Sequence, residues 1–584
     1  MIQLKNIFFD YALSGGKVIH ALSDINLDFR EGELVSIIGS NGSGKTTLAR
    51  LLNGLLISSS GKVLVDGLNP KYEKDLKLIR QRVGMVFQNP DNQIITTSVE
   101  REIAFGLENL NLPYEEMRER VEWALSAFNL WDYKNTPPHK LSGGEKQKVA
   151  VAAVLAMKPK YLILDEPTSL LSPEDRDKLN SLIERLAQEI KVTIFNITQF
   201  PDEAVLAHRI LVLSDGKVVL DGPPSKVFGE SQKFKEIGLS LPKNLEITDR
   251  LKNEGFKFKR NILDFDDLIK EFNSLEGVNL QLPLGHDKSK KSKYRKTVSK
   301  DKTLIKLENS GFVYNPGTLH FKEALKGINL EIEEGEFAGL LGPTGSGKST
   351  LVQHFNGLLF ATSGNVLVNG LELKEKKPYL QRIRKEIGLV FQFPENQFFE
   401  DTVYNDIAFG PKNLGLENDE INRRVKKSMD TVGLDFDDFA WRLPFSLSHG
   451  EQRRAAIAGV LALEPQVLIL DEPTAGLDSD GTCRIKNALL ELNKKGVTII
   501  LISHNLELVA EVCERIIFLK EGRVLYDGTK IKFFKEAAKH WVEGIKLPVI
   551  IELVNALNAS GFNIREDIYN LDELVKELVS MFMR

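Results

Sequence analysis

The chain has 584 residues, room for several domains that each bury a core of their own. Hydrophobic residues make up 42% and charged residues 27%, the balance of an ordinary soluble globular protein. Lys and Arg number 77 against 81 Asp and Glu, and the net charge of −4 excludes the overall basicity of a nucleic-acid binder. The two cysteines, Cys483 and Cys513, exclude a disulfide framework and suit a reducing interior. Both fall on predicted helices, where they read as small buried hydrophobes.

The N-terminal "MIQLKNIFFDYALSGG" lacks a basic start followed by a long apolar run, so no signal peptide is expected. No window reaches the roughly 18 apolar residues that a spanning helix needs. Runs such as "VTIILIS" have the length of a buried strand instead. The expectation is a cytoplasmic chain whose membrane role, if it has one, comes through a partner.

The first chemistry met along the chain is "GSNGSGKT", Gly39 to Thr46, between the apolar run "ELVSIIG" and the helical pattern "TLARLLNGLL". It fits G-x-x-x-x-G-K-[ST] in the strand–loop–helix context that the motif requires. Backbone N–H groups of Gly39, Ser40, Asn41, Gly42, Ser43, Gly44 and the following Lys45, Thr46 and Thr47 can wrap phosphate oxygens at a helix N-terminus. Lys45 neutralises the terminal phosphates and Thr46 can ligate Mg²⁺. The motif recurs as "GPTGSGKS", with Gly342, Pro343, Thr344, Gly345, Ser346, Gly347, Lys348, Ser349 and Thr350 in the same order. A merely structural glycine turn explains neither the context nor the recurrence.

The recurrence is general. "GMVFQNPDNQ" returns as "GLVFQFPENQ", "KLSGGEKQK" as "SLSHGEQRR" and "YLILDEPTS" as "VLILDEPTA", at an offset of about 303 to 306 residues. Two homologous units, 1–230 and 303–535, are therefore expected. Within each, short apolar runs alternate with helical patterns, which predicts α/β layers with much parallel sheet. The apolar runs "YLILDE" and "VLILDE" end in acidic pairs: Asp165 and Asp471 would hold Mg²⁺ through water, and Glu166 and Glu472 would orient or deprotonate an attacking water. An acidic helix cap is the bland alternative, and a poor one beside two phosphate loops.

Past each unit, "GLSLPKNLEITDRLKNEGFKF" from Gly238 matches "GIKLPVIIELVNALNASGFNI" from Gly544. Small helical appendages are thus predicted at 231–285 and 536–584, with Pro242 and Pro548 in a first helical turn. A paired role such as dimer contact is the reading, a solvated tail the alternative. Between the halves, residues 286–302 ("HDKSKKSKYRKTVSKDK") are polar and basic and read as a flexible tether.

With "LSGGE" and "LSHGE" upstream of the acidic pairs, the chain resembles a pair of ATP-binding-cassette (ABC) ATPases fused in one polypeptide. The implied fold class is α/β, two tandem P-loop NTPase domains. The resemblance implies further roles: Tyr11 and Tyr314 stack on adenine (core tyrosines being the rival reading), and Gln88 and Gln392 sense Mg²⁺ and the membrane partner. His504 is the switch histidine that contacts the γ-phosphate, and Gln199 fills that place in the first unit.

The segments "FQNPDNQIITTSVEREIAFGLENL" and "FQFPENQFFEDTVYNDIAFGPKNLGL" closely resemble those of energy-coupling factor (ECF) transporter ATPases, importers of vitamins and of cobalt or nickel. That resemblance implies an integral membrane coupling protein and a substrate-capture membrane protein as partners, ATP and Mg²⁺ as ligands, and no nucleic acid. The rivals are the ATPase of another ABC importer, a tandem-cassette translation factor and a DNA-repair ABC protein. The last two lack here the charged helical hairpin and the coiled-coil insertion they need.

Head-to-tail closure, also implied by the resemblance, makes two composite sites, within one chain or across a homodimer. One joins Lys45, Thr46, Gln88, Asp165 and Glu166 to Ser448, His449, Gly450 and Glu451. The other joins Lys348, Ser349, Gln392, Asp471 and Glu472 to Ser142, Gly143, Gly144 and Glu145. Gln199 and His449, both departures from the family pattern, fall in the same site. Glutamine cannot carry the charge of an imidazolium, and a ring at His449 crowds a helix N-terminus that should meet phosphate. The expectation is that this site binds ATP and hydrolyses it slowly. The opposing reading has His449 supply the imidazole that Gln199 lacks. In the other site, Ser172 replaces an expected aspartate, with a milder effect.

Overall fold

A computed structural model describes the chain except residues 13–17, 170, 172, 259–261, 275–301, 319–320, 376, 393–396, 539–544 and 583–584. The chain divides into two compact units, Met1–Leu268 and Ile269–Arg584. The tether expected at 286–302 lies outside the described residues except for Lys302, and so does Ser172.

In the first unit a six-stranded sheet runs in the order Val83–Val86, Tyr161–Asp165, Thr193–Ile197, Leu34–Gly39, Arg209–Ser214, Lys217–Gly222. The first five strands are parallel and the last is antiparallel. All five residues of "YLILD" and of "TIFNI" are buried, as expected of parallel strands covered on both faces. A second, antiparallel sheet pairs Ile2–Ala12 with Val18–Phe29 and Ser60–Val65. A helical layer of Val99–Asn109, Tyr114–Ala127 and Gly143–Ala156 packs on the main sheet through Ile103, Leu107, Leu125, Val151 and Leu155.

The second unit repeats this plan. Its six-stranded sheet runs Ile387–Val390, Val467–Asp471, Thr498–Ile502, Phe337–Leu341, Arg515–Lys520, Arg523–Thr529. In both units the strand before the phosphate loop lies next to the strand that precedes the switch residue, and that strand lies next to the one ending in the acidic pair. Three carboxyl-terminal strand ends therefore meet at one edge of the sheet, where open α/β folds bind ligands.

Helices Lys243–Asn253 and Phe265–Ser274 follow the first unit's sheet, and Val549–Ala559 and Leu571–Phe582 end the second. Pro242 and Pro548 do not sit in a first turn. With ψ of 143° and 139° they are extended and stand just ahead of it, their locked φ setting the entry of the chain. Cys513 is buried just after helix Leu506–Val512, but Cys483 is exposed: it lies on the solvent side of helix Ser479–Lys494, whose buried face carries Ile485, Ala488 and Leu489. Among the described residues no helix is long and apolar enough to cross a membrane.

Candidate nucleotide-binding sites

Each phosphate loop depends on glycine where the chain crosses into the left-handed region. Gly44 (φ 101°) and Gly347 (φ 103°) precede helices Lys45–Leu52 and Lys348–Phe355. A Cβ on either would lie 2.6 Å from the carbonyl oxygen of Ala21 or Ala324. Lys45 curls back and donates to the carbonyls of Gly39 (2.8 Å) and Ser40 (2.9 Å), and Lys348 to those of Gly342 (2.7 Å) and Pro343 (3.0 Å). The hydroxyls of Ser43 and Ser346 are buried without a hydrogen-bond partner among the described residues. A glycine-rich loop leading into a helix N-terminus, a lysine parked on its own loop and a buried hydroxyl fit an anionic ligand such as the phosphates of ATP.

Tyr11 and Tyr314 stand at the rim of this loop. Their hydroxyls lie 3.2 and 3.1 Å from the Oγ1 of Thr47 and Thr350, and their rings meet Phe9 and Phe312 edge-on. Tyr314 is exposed, whereas Tyr11 is half-buried and packs against the hydrophobic core of its unit.

Facing the loops, Thr46 Oγ1 donates to Asp165 at 3.1 Å and Ser349 Oγ to Asp471 at 2.8 Å. Burial pushes both aspartate carboxyls upward. Adjacent hydroxyl and carboxylate oxygens are the hard donor set Mg²⁺ takes, and these four residues are the ones that would hold it. Glu166 and Glu472 follow with φ of 50° and 51°, a region costly for glutamate. Their N–H groups are anchored on Ile197 (3.0 Å) and Ile502 (2.9 Å) of the neighbouring strand. No helix starts there, which removes the helix-cap alternative. Burial raises the Glu166 carboxyl to about 7 and that of Glu472 to about 8.

The two glutamates are held differently. Gln88 donates its amide to Glu166 at 2.8 Å, whereas Glu472 accepts from Ser503 Oγ at 3.3 Å and faces His504 Nε2 at 3.7 Å. Gln392 is exposed. Both amide atoms of Gln199 are buried with no hydrogen-bond partner among the described residues.

The signature helices Gly143–Ala156 and His449–Leu461 begin with the same capping box. Ser142 and Ser448 cap the backbone N–H of Glu145 and Glu451, whose carboxylates return to the serine N–H at 2.7 and 2.8 Å. The two glutamates are thus committed to the helix start. A Cβ at Gly143 would meet nothing within 4 Å, and His449 in the same place is exposed. The fold of the unit therefore does not require glycine here. Gly144 is tighter, its Cβ reaching Asp175 at 3.1 Å, and Gly450 is buried.

Sequence reasoning passed over three residues beside these groups: Arg453, Glu203 and Arg176. Glu203 is buried, accepts from Thr168 (2.7 Å) and Thr198 (2.5 Å), and lies 3.6 Å from Arg176, which stacks on Phe200. The available signal was the comparison of the two copies, where Leu508 and Thr482 stand in place of Glu203 and Arg176.

Two phosphate-loop units in tandem, each bringing a lysine, a hydroxyl and an acidic pair to one sheet edge, define a double nucleoside-triphosphatase. The ABC transporter family model matches residues 22–169 and again 325–475. The chain belongs to this family and is an ATPase of the ABC type. It is 36% identical over 97% of its length to a protein of Caldanaerobacter subterraneus subsp. tengcongensis provisionally named as an ABC transporter ATP-binding protein, of which 98% is covered. A Methanosarcina mazei protein with the same provisional name is 37% identical, covering 97% of this chain and 95% of the relative. The energy-coupling factor transporter ATP-binding protein EcfA2 of Clostridium perfringens is 48% identical over 47% of this chain and 98% of its own length.

Proposed function

We propose that the chain is the ATP-hydrolysing motor of an ECF-type importer, peripheral on the cytoplasmic face of the membrane. In this reading it grips an integral coupling protein and powers uptake of a vitamin or transition metal bound by a separate capture protein. The observation that carries it is a matched pair of exposed apolar side chains just after each sensor glutamine. Ile95 (66% exposed) and Phe105 (41%) follow Gln88, and Phe399 (61%) and Phe409 (41%) follow Gln392. Phe399 and Phe409 meet edge-on at 4.7 Å. An apolar patch held at the same place in both units suits a partner surface. Half-length similarity to EcfA2 supports the same reading.

In the reaction, Lys45 or Lys348 turns from its loop carbonyls to the ATP phosphates. Glu166 or Glu472 takes the proton of an attacking water, and the N–H cradle stabilises charge on the phosphoryl oxygens. Bound Mg²⁺ would add neutralisation of the phosphate charge. The first unit's loop would close on Ser448 and His449, the second's on Ser142 and Gly143, within one chain. The domain limits read from the sequence, with an appendage at 231–285 and 536–584, belong to the same proposal.

Affinity purification of the full chain from detergent-solubilised native membranes tests it. Two integral membrane proteins should co-purify in fixed ratio and be lost from an I95D/F399D variant that keeps ATP binding. Co-sedimentation with ribosomes, with no membrane protein retained, would overturn the reading.

A further inference from the structure

On the signature helix of the second unit, the fifth residue along is Arg453, which is 4% exposed. Its guanidinium does not turn to solvent. One terminal nitrogen, Nη1, donates to the carbonyls of Glu472 (3.1 Å) and Ala475, and the other, Nη2, donates to the carbonyl of Gln392 (2.7 Å). Those three carbonyls belong to the candidate base, to the loop that follows it and to the sensor glutamine. A planar fork with fixed donor directions can bind three acceptors on two separate loops only if those loops keep one relative position.

The first unit is built otherwise. Gln147 stands in the equivalent place on helix Gly143–Ala156 and is 1% exposed. Its Nε2 has no hydrogen-bond partner among the described residues. That helix reaches the sensor segment instead through Lys146, which pairs with the exposed Asp91 at 2.6 Å. Among the described residues nothing comparable ties it to the carbonyl of Glu166.

We propose that Arg453 is a positioning residue for ATP hydrolysis in the second unit, holding the backbones of Gln392, Glu472 and Ala475 in one frame with the signature helix. Displacement of that helix then carries the sensor glutamine and the base together. In the first unit the same displacement reaches the base only indirectly. Arg453 touches no reacting atom in this role, and it acts through the loops that present Glu472. The inference needs ATPase activity alone and is independent of which membrane partner the chain serves.

The test is R453Q in the full chain, which installs the residue the first unit uses. Turnover at saturating ATP should fall by about tenfold, while KM and the directly measured affinity for ATP stay within about twofold, the pattern of a lost transition-state arrangement. Q147R in the first unit should leave turnover within about twofold. Unchanged turnover in R453Q, or a parallel fall of turnover and ATP affinity, would overturn the assignment. Should R453Q be recovered unfolded, R453K decides, since it keeps a buried cation but not the planar fork. Several-fold lower turnover at unchanged affinity supports positioning, and wild-type turnover overturns it.

Discussion

Gln88 and Glu166 are joined by a 2.8 Å hydrogen bond from amide to carboxylate, and the corresponding Gln392 and Glu472 are not joined among the described residues. In the first unit the amide N–H occupies a lone pair of the carboxylate, and the side-chain amide of Gln199, in the switch place, is buried without a hydrogen-bond partner among the described residues. In the second, Glu472 faces His504 across 3.7 Å. One base is tethered beside a glutamine that stays neutral, and the other is opposite a group that can carry charge.

The two bases should therefore not contribute equally. E472Q is expected to abolish most steady-state ATP hydrolysis, by 10²-fold or more, the order of magnitude for a lost general base. E166Q should leave at least a third. Steady-state phosphate release by the assembled complex measures both. Equal losses would mean that His449 and Gln199 form an exchanged but working pair.

Much of this arrangement was legible because short motifs with fixed geometry recur twice. Strand–loop–helix order placed Lys45 and Lys348, and the continuous apolar runs "YLILD" and "VLILD" placed Asp165 and Asp471 at strand ends. What was not legible depends on which side of an element faces inward. Cys483 sits one helical turn from Asn487 on the outer face, and no local pattern distinguishes it from the buried Cys513. Arg453 looks like a solvated basic residue in "EQRR" until the helix is seen to press it against three carbonyls. Glu203 likewise reads as a surface carboxylate in "PDEAV", because the hydroxyls it accepts from are 35 and 5 residues away.

Substitution of Gly44 or Gly347 by alanine should cost both stability and ligand binding. The added Cβ would meet a carbonyl oxygen at 2.6 Å, and the φ near 100° is one that L side chains rarely adopt. Backbone strain of this kind costs about 1–3 kcal/mol. The loop can relieve it only by moving the N–H cradle. ATP affinity measured by calorimetry should drop at least tenfold for the altered unit, with a lower melting temperature.

Glu203 tests a different device. E203L would leave the hydroxyls of Thr168 and Thr198 without their acceptor and remove the largest of the counter-charges on Arg176, with Asp177 and Asp202 remaining. Removing one partner of a buried pair typically costs about 3–5 kcal/mol, and the partial exposure of Arg176 brings the expectation to about 2–3. The double change R176T/E203L copies the residues of the second unit and should recover at least half of the loss. Urea unfolding of the three variants measures this, and a double variant no better than E203L would show that the ion pair is not the cause.

His354 makes the second unit sensitive to acid. It is 1% exposed on helix Lys348–Phe355, its Nδ1 lies 2.7 Å from the carbonyl of Thr350, and its Nε2 is buried with no partner among the described residues. A carbonyl accepts only from N–H, so Nδ1 carries the proton of the neutral ring and Nε2 is bare. Phe312 meets the ring edge-on at 4.9 Å and offers a charge nothing. Burial accordingly holds this histidine below its usual range, the backbone carbonyl opposing only in part. The folded state thus binds fewer protons than the unfolded state once the pH falls below about 6.5. The stability this neutral ring contributes is fully present above that value and is lost as the pH falls toward the lower, folded-state value. The slope cannot exceed about 1.4 kcal/mol per pH unit for one proton. Leu51 occupies the same place in the first unit and is fully buried, so H354L should fold and should flatten this part of the profile. Thermal unfolding between pH 5 and 7.5 compares the two proteins, and an equal acid loss in H354L would place the titrating group elsewhere.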